Sequence, residues 1–188
     1  MAWLVESVGL QVETFASGDE FLRHFDPSLP CCLVIDVRMP GMSGLELQNT
    51  LKERGAGVPI IVMTAYGDVS TAVRAMKRGA FDFIEKPFQD QQMIDLIHAC
   101  LAADASRRRA AAKWDAIERC IGSLTRRERQ VLDLVVAGRS NKEVAIELGI
   151  VPKTVEAHRA NVMKKMGAGS LAELVTMMAR WVENTGNP

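Results

Sequence analysis

Three side chains of different chemistry stand at the ends of three similar apolar runs. Cys31-Cys32-Leu33-Val34-Ile35 ends in Asp36, Pro59-Ile60-Ile61-Val62-Met63 delivers Thr64, and Ala80-Phe81-Asp82-Phe83-Ile84-Glu85 delivers Lys86 before Pro87. Each run has the length of a buried strand, and the Pro/Gly-rich stretch Val37 to Gly44 after Asp36 reads as a loop. In an open parallel sheet, ligands sit outside the carboxyl ends of the strands. An acid, a hydroxyl and an ammonium converging there suit a carboxylate that accepts a phosphoryl group. Its oxygen attacks phosphorus, and neighbouring donors balance the charge on the transferred oxygens.

The patterning predicts the elements that must position these groups. Residues 2–8 read as a helix stopped by Gly9, 11–15 as a strand, and 18–25 as a short helix cut off by Asp26-Pro27. Then follow strand 31–36, helix 44–54, strand 59–64, helix 69–78, strand 81–85 and helix 90–102. Strands alternating with helices imply a parallel sheet covered on both faces.

Residues 103–120 are rich in Ala and Arg, without Gly or Pro, and read as a helical linker continuing the preceding helix. Arg107, Arg108 and Arg109 read as a solvated helix face rather than a nucleic-acid contact. From Leu124 onward the pattern is helical throughout. Thr125-x-x-Glu128, Ser140-x-x-Glu143 and Ser170-x-x-Glu173 are three capping boxes, and Gly138, Gly149 and Gly167 mark helix ends.

Composition bounds the class. A chain of 188 residues, 48% hydrophobic and 24% charged, suits one large or two small soluble domains. The zero net charge conceals −5 over residues 1–103, +2 over 104–122 and +3 over 123–188. An acidic front and a mildly basic rear fit a metal- or phosphate-handling domain followed by a nucleic-acid binder. Cys31, Cys32, Cys100 and Cys120 have no metal-ligand spacing and read as reduced packing residues. No apolar run reaches the length of a membrane span, and the first residues lack a basic stretch before an apolar one, so neither a membrane span nor a secretion signal is expected.

The segments VIDVRMPGMSGLEL, IVMTAYGDVSTAVRAMKRGAFDFIEKPF and LTRRERQVLDLVVAGRSNKEVAIELGIVPKTVEAHRANVMKKMG together resemble a two-component response regulator of the FixJ type. The resemblance implies a flavodoxin-like α/β receiver, with its first strand missing, followed by an all-α LuxR-type helix-turn-helix domain. The corresponding boundaries are a receiver over 1–102, a helical linker over 103–122 and the DNA-binding domain over 123–188. It further implies that Asp36 is the phosphoacceptor, that Lys86 pairs with the phosphate, and that Thr64 hydrogen-bonds it. Phe83 matches the aromatic switch position. Asp36 and the backbone carbonyl of Arg38 would hold Mg²⁺, and no organic cofactor is implied. The Lys86–Pro87 bond is expected to be cis. Implied partners are promoter half-sites, a sensor histidine kinase, RNA polymerase and, on activation, a second copy of the chain. The expected location is the cytoplasm.

In the helical half, 140–148 reads as the supporting helix and 152–166 as the reader, with Pro152 at its first position. At 100° per residue, Val155, Val162 and Met166 fall within about 20° of one another and define the buried side. His158 reads as a packed neighbour of that stripe. The opposite face carries Lys153, Ala157, Ala160 and Lys164, flanked by Glu156 and Asn161, and should enter the major groove. Ala157 and Ala160 allow contact with thymine methyls, and Glu156 can accept from a cytosine amine. Asn141 and Lys142 suit phosphates, Thr154 joins the expected contact set, and Arg159 reaches out along the rim. Val151 stands where relatives carry a capping Ser or Thr. Leu171, Leu174, Val175, Met178 and Val182 form the last helix's stripe.

One departure bears on the site. Receivers of this type open with a strand ending in two adjacent acidic residues, whereas this chain starts inside the helix that follows it. Strand 11–15 is then left without its neighbour, and Mg²⁺ without its main carboxylates. A misplaced start or fragment, a natural phosphorylation-independent regulator, and a strand supplied by a partner are the explanations. An aspartate-nucleophile phosphohydrolase is the rival from enzymology. Such enzymes carry D-x-D, and Arg38 occupies the second acidic place here.

Overall fold

The computed structural model describes residues 1–65 and 69–185, in two units, Met1–Arg108 and Arg109–Pro188. In the first unit α1 (Ala2–Ser7) and α2 (Gly18–His24) precede β1 (Leu33–Asp36). Then follow α3 (Gly44–Glu53), β2 (Ile60–Ala65), α4 (Val69–Lys77), β3 (Asp82–Lys86) and the long α5 (Asp90–Gly122), whose residues up to Arg108 belong to this unit. The strands form a parallel sheet in the order β1-β2-β3. The period-2 alternation of β2 sorts its side chains between two cores. Ile60 and Val62 join Leu47 and Leu51 of α3 on one face. Ile61 and Met63 join Met93 and Ile97 of α5 on the other.

Residues 11–15, expected as a strand, are not one. A strand needs a ladder for its backbone groups, and among the described residues none runs beside this segment. The segment is held by side chains instead. Leu10 and Val12 pack on the α5 side of the sheet, and the Phe15 ring meets Phe21 edge-on at 5.4 Å between centroids. The strand expected over 31–36 begins two residues late, at Leu33.

The reason is a cluster on α5. Asp104, only 1% exposed, accepts from the Cys31 N–H (3.2 Å), from Arg107 Nη2 (2.7 Å) and from Arg108 Nε (2.6 Å). Arg108 also donates to three successive carbonyls, those of Pro27 (3.0 Å), Ser28 (2.8 Å) and Leu29. Arg107 and Arg108 are therefore not the freely solvated face expected of them. Burial pushes the Asp104 carboxyl up, but the two guanidiniums and the Cys31 N–H outweigh it and hold it below the usual range.

The second unit contains α6 (Arg126–Val136), α7 (Asn141–Leu148), α8 (Pro152–Met166) and α9 (Leu171–Thr185) around Val131, Leu132, Val144, Val155 and Leu174. Reciprocal capping boxes open α6 at Thr125/Glu128 and α7 at Ser140/Glu143. The third expected box differs. Ser170 accepts from the Glu173 N–H, but the Glu173 carboxylate takes the Gly169 N–H instead. On α9, Leu174, Met178 and Trp181 are buried while Leu171 stands exposed. A tryptophan thus takes the core place that the expected stripe gave to leucine.

Candidate functional site

Parallel pairing places Asp36 opposite Met63, and Ala65 opposite Lys86, so three neighbouring strands end together. Asp36 and Lys86 form an ion pair, both partly exposed. The other Asp36 oxygen accepts the Arg38 N–H at 3.0 Å. Thr64 sits on the central strand, 1% exposed, and its hydroxyl donates to the Ala65 carbonyl at 2.9 Å rather than to Asp36. Phe83 is half-buried against the α3 side of the core and lines a shallow groove with Val69, Val73 and Met76 of α4. The Lys86–Pro87 bond is cis.

Sequence reasoning overlooked Gly44. Its N–H donates to the Val37 carbonyl (3.1 Å), and a β-carbon there would strike the Asp36 carbonyl oxygen and lie 3.2 Å from Val37 Cα. Ser43 and Glu46 make a capping box that starts α3 at this point. The helix start thus presses directly on the backbone that presents Asp36. The Ser-x-x-Glu signature after the loop was the available signal.

As a metal site, the donor set is thin. Among the described residues no three His, Cys, Asp or Glu side chains group together. Asp36 and the Arg38 carbonyl supply two oxygens, far from the octahedron Mg²⁺ demands. Both Asp36 oxygens already accept hydrogen bonds from the chain itself.

In the second unit Gly149, in the left-handed conformation (φ 66°), ends α7 and lets the chain turn into α8. Val155, Val162 and Met166 are buried, as the helical spacing predicted. Lys153, Glu156, Ala157, Ala160, Asn161 and Lys164 are exposed on the opposite side, with Thr154, His158 and Arg159 half-buried at the edges. Lys153 and Glu156 pair at 3.7 Å. Asn141 accepts from Arg159 Nη1 at 2.8 Å, a link between helices that spacing could not reveal.

Val151 makes no side-chain cap. Val151→Ser should therefore stabilise the second unit by about 1 kcal/mol, read as a higher urea midpoint.

Glu128 ties this unit together. Its carboxylate accepts from Lys165 Nζ (2.7 Å) and the Thr125 N–H (2.8 Å), which together hold its pKa down to about 2, against an ordinary 4.5. A carboxyl depressed by folding stabilises fully above its unfolded value, and that contribution drains as pH falls from about 4.5 toward about 2. Glu128→Gln should flatten this part of the acid dependence of the unfolding midpoint.

Two family profiles match: "Response regulator receiver domain" over residues 1–98, and "Bacterial regulatory proteins, luxR family" over 122–178. The chain is 50% identical over 177 residues to the transcriptional regulatory protein FixJ of Azorhizobium caulinodans, covering 94% of this chain and 84% of that one. It is 42% identical over 186 residues to the transcriptional regulatory protein TdiR of Thauera aromatica, covering 96% and 79%. Among solved structures, the response regulator StyR superposes with a TM-score of 0.88 at 46% identity, covering 95% of this chain and 90% of that one.

An α/β receiver and a helix-turn-helix in one chain define a transcriptional response regulator. This chain belongs to the FixJ-type response regulators, with a receiver domain and a LuxR-type DNA-binding domain.

Proposed function

We propose that Asp36 is the phosphoacceptor and that its phosphorylation by a sensor histidine kinase governs DNA binding by the second unit. The observation that carries this is the Asp36–Lys86 pair at the carboxyl ends of parallel strands. A carboxylate oxygen of Asp36 attacks phosphorus as the P–N bond to the kinase histidine breaks, and the histidine nitrogen leaves with the electron pair. Lys86 then faces the phosphoryl oxygens, and Thr64 turns its hydroxyl from the Ala65 carbonyl toward them. Phe83 moves inward as the switch. Receivers generally use Mg²⁺. Here Asp36 and the Arg38 carbonyl would be the chain's donors to it, with waters completing the shell, and no step is routed through the ion.

The reader is α8, with Lys153, Thr154, Glu156, Ala157, Ala160, Asn161 and Lys164 toward the groove, Arg159 along its rim, and Asn141 and Lys142 of α7 toward phosphates. A homodimer on paired half-sites, contact with RNA polymerase and a cytoplasmic location complete the reading. No helix among the described residues is long and apolar enough to cross a membrane. The proposed division is a receiver over 1–102, a helical linker over 103–122 and the DNA-binding domain over 123–188.

The test is the intact mass of the folded chain after incubation with Mg²⁺ and acetyl phosphate. One phosphoryl adduct on the wild type, absent from Asp36→Asn, is the expected result. No adduct on the folded wild type, together with DNA binding by that unphosphorylated chain, would favour the second reading, a phosphorylation-independent DNA-binding regulator.

A further inference from the structure

We propose that Arg159 is a positioning residue. Its guanidinium turns the Asn141 amide so that Nδ2 presents its hydrogens to a DNA phosphate, and Arg159 itself reads no base. This rests on the DNA-reading function of the second unit.

The argument begins with hydrogen-bond inventory. A guanidinium carries only donors, so the Asn141 atom 2.8 Å from Arg159 Nη1 must be the carbonyl oxygen, Oδ1. The amide is thereby fixed in one of its two orientations, with Nδ2 turned from the guanidinium. Among the described residues that nitrogen has no hydrogen-bond partner in the chain. Asn141 is the first residue of α7, and the capping box there has already satisfied the Glu143 and Ser140 N–H groups. Exposed Lys142 follows. Donors therefore gather at this helix start, where an anionic backbone is welcome.

Arg159 lies differently from a base reader. It is half-buried at the edge of α8, between the buried stripe and the exposed Ala160 and Asn161. Its bond to Asn141 spans 18 residues of sequence and joins the supporting helix to the reading helix. A freely swinging asparagine divides its time between two amide orientations. A bonded one offers donors only.

The experiment uses the full chain and a duplex selected by that chain from randomised DNA. Affinities are measured across a salt series and on duplexes carrying single base-pair substitutions. Arg159→Ala and Asn141→Ala should each weaken binding by about tenfold, and the double variant by no more than either. The order of preference among substituted duplexes should not change with Arg159→Ala, nor should the salt slope. Asn141→Asp keeps the acceptor for Arg159 and loses the donors. It should fold with an unfolding midpoint at or above the wild type's yet bind worse than Asn141→Ala.

Relaxed preference at one base pair in Arg159→Ala would make Arg159 a base reader and overturn the proposal. A fall of about one in the salt slope would do the same by making it a direct phosphate contact. Independent, multiplying losses in the double variant, or full affinity in Asn141→Asp, would also overturn it. Failure of the wild type to select any duplex would instead remove the DNA-reading function, and this proposal with it.

Discussion

Gly44→Ala should abolish most phosphoryl uptake by Asp36 while leaving the chemistry of every reacting group intact. The new methyl has nowhere to go. It would strike the Asp36 carbonyl oxygen and crowd the Asp36 carbonyl carbon (3.0 Å) and Val37 Cα (3.2 Å), all of them backbone atoms. Side chains relieve such contacts by changing rotamer, but backbone must shift as a piece. The piece here is the β1–α3 connection, bounded by the Val37 N–H bond to Met63 and the Ser43/Glu46 cap. Overpacking of this kind costs about 1–3 kcal/mol. The functional loss should be larger, because a misplacement of about 1 Å at a reacting atom costs about a hundredfold in rate. Acetyl phosphate labelling followed by intact mass, with urea unfolding alongside, separates the two effects. Labelling at the wild-type rate would show that the helix start does not control Asp36.

The second large effect is expected at Asp104→Ala. This carboxylate is buried, accepts from two guanidiniums, and caps the N–H of Cys31 at the entrance to β1. Deleting one member of a buried charge cluster leaves the others uncompensated, at about 3–5 kcal/mol for a fully enclosed pair. Arg107 and Arg108 keep some contact with water, and Arg108 retains its three carbonyls, so a loss near ~3 kcal/mol is expected for the first unit. Urea unfolding reads it directly. Asp104→Asn should recover part of the loss, since it keeps an acceptor. A midpoint unchanged by Asp104→Ala would mean that the cluster only decorates the helix.

Much of this architecture was legible because local signals agreed with one another. Apolar runs of strand length ending in Asp36, Thr64 and Lys86 announced a parallel sheet, and the buried stripe of α8 followed from helical spacing alone. The failures share a cause. Residues 11–15 alternate like a strand, but a ladder needs a neighbour, and alternation says nothing about neighbours. Arg108 looks like solvated charge because the carbonyls it serves, those of Pro27, Ser28 and Leu29, lie 79 to 81 residues away in sequence, and Arg107 because spacing does not show that its neighbour Asp104 is buried. Gly44 was hidden among other loop glycines, since only the closeness of the Asp36 backbone distinguishes it. Thr64 lies on the strand its apolar run predicted, yet its hydroxyl direction is a torsion that no pattern encodes.

The middle of α5 has a thermodynamic consequence. Arg109, Ala110, Ala111, Ala112 and Lys113 all stand exposed, inside a helix of 33 residues. A helical turn with no buried face is held by propensity and by propagation from the turns beside it. Cooperativity carried by packing therefore fades across these five residues. Local opening of these five residues is therefore resisted by helix propensity and by the turns on either side, not by burial.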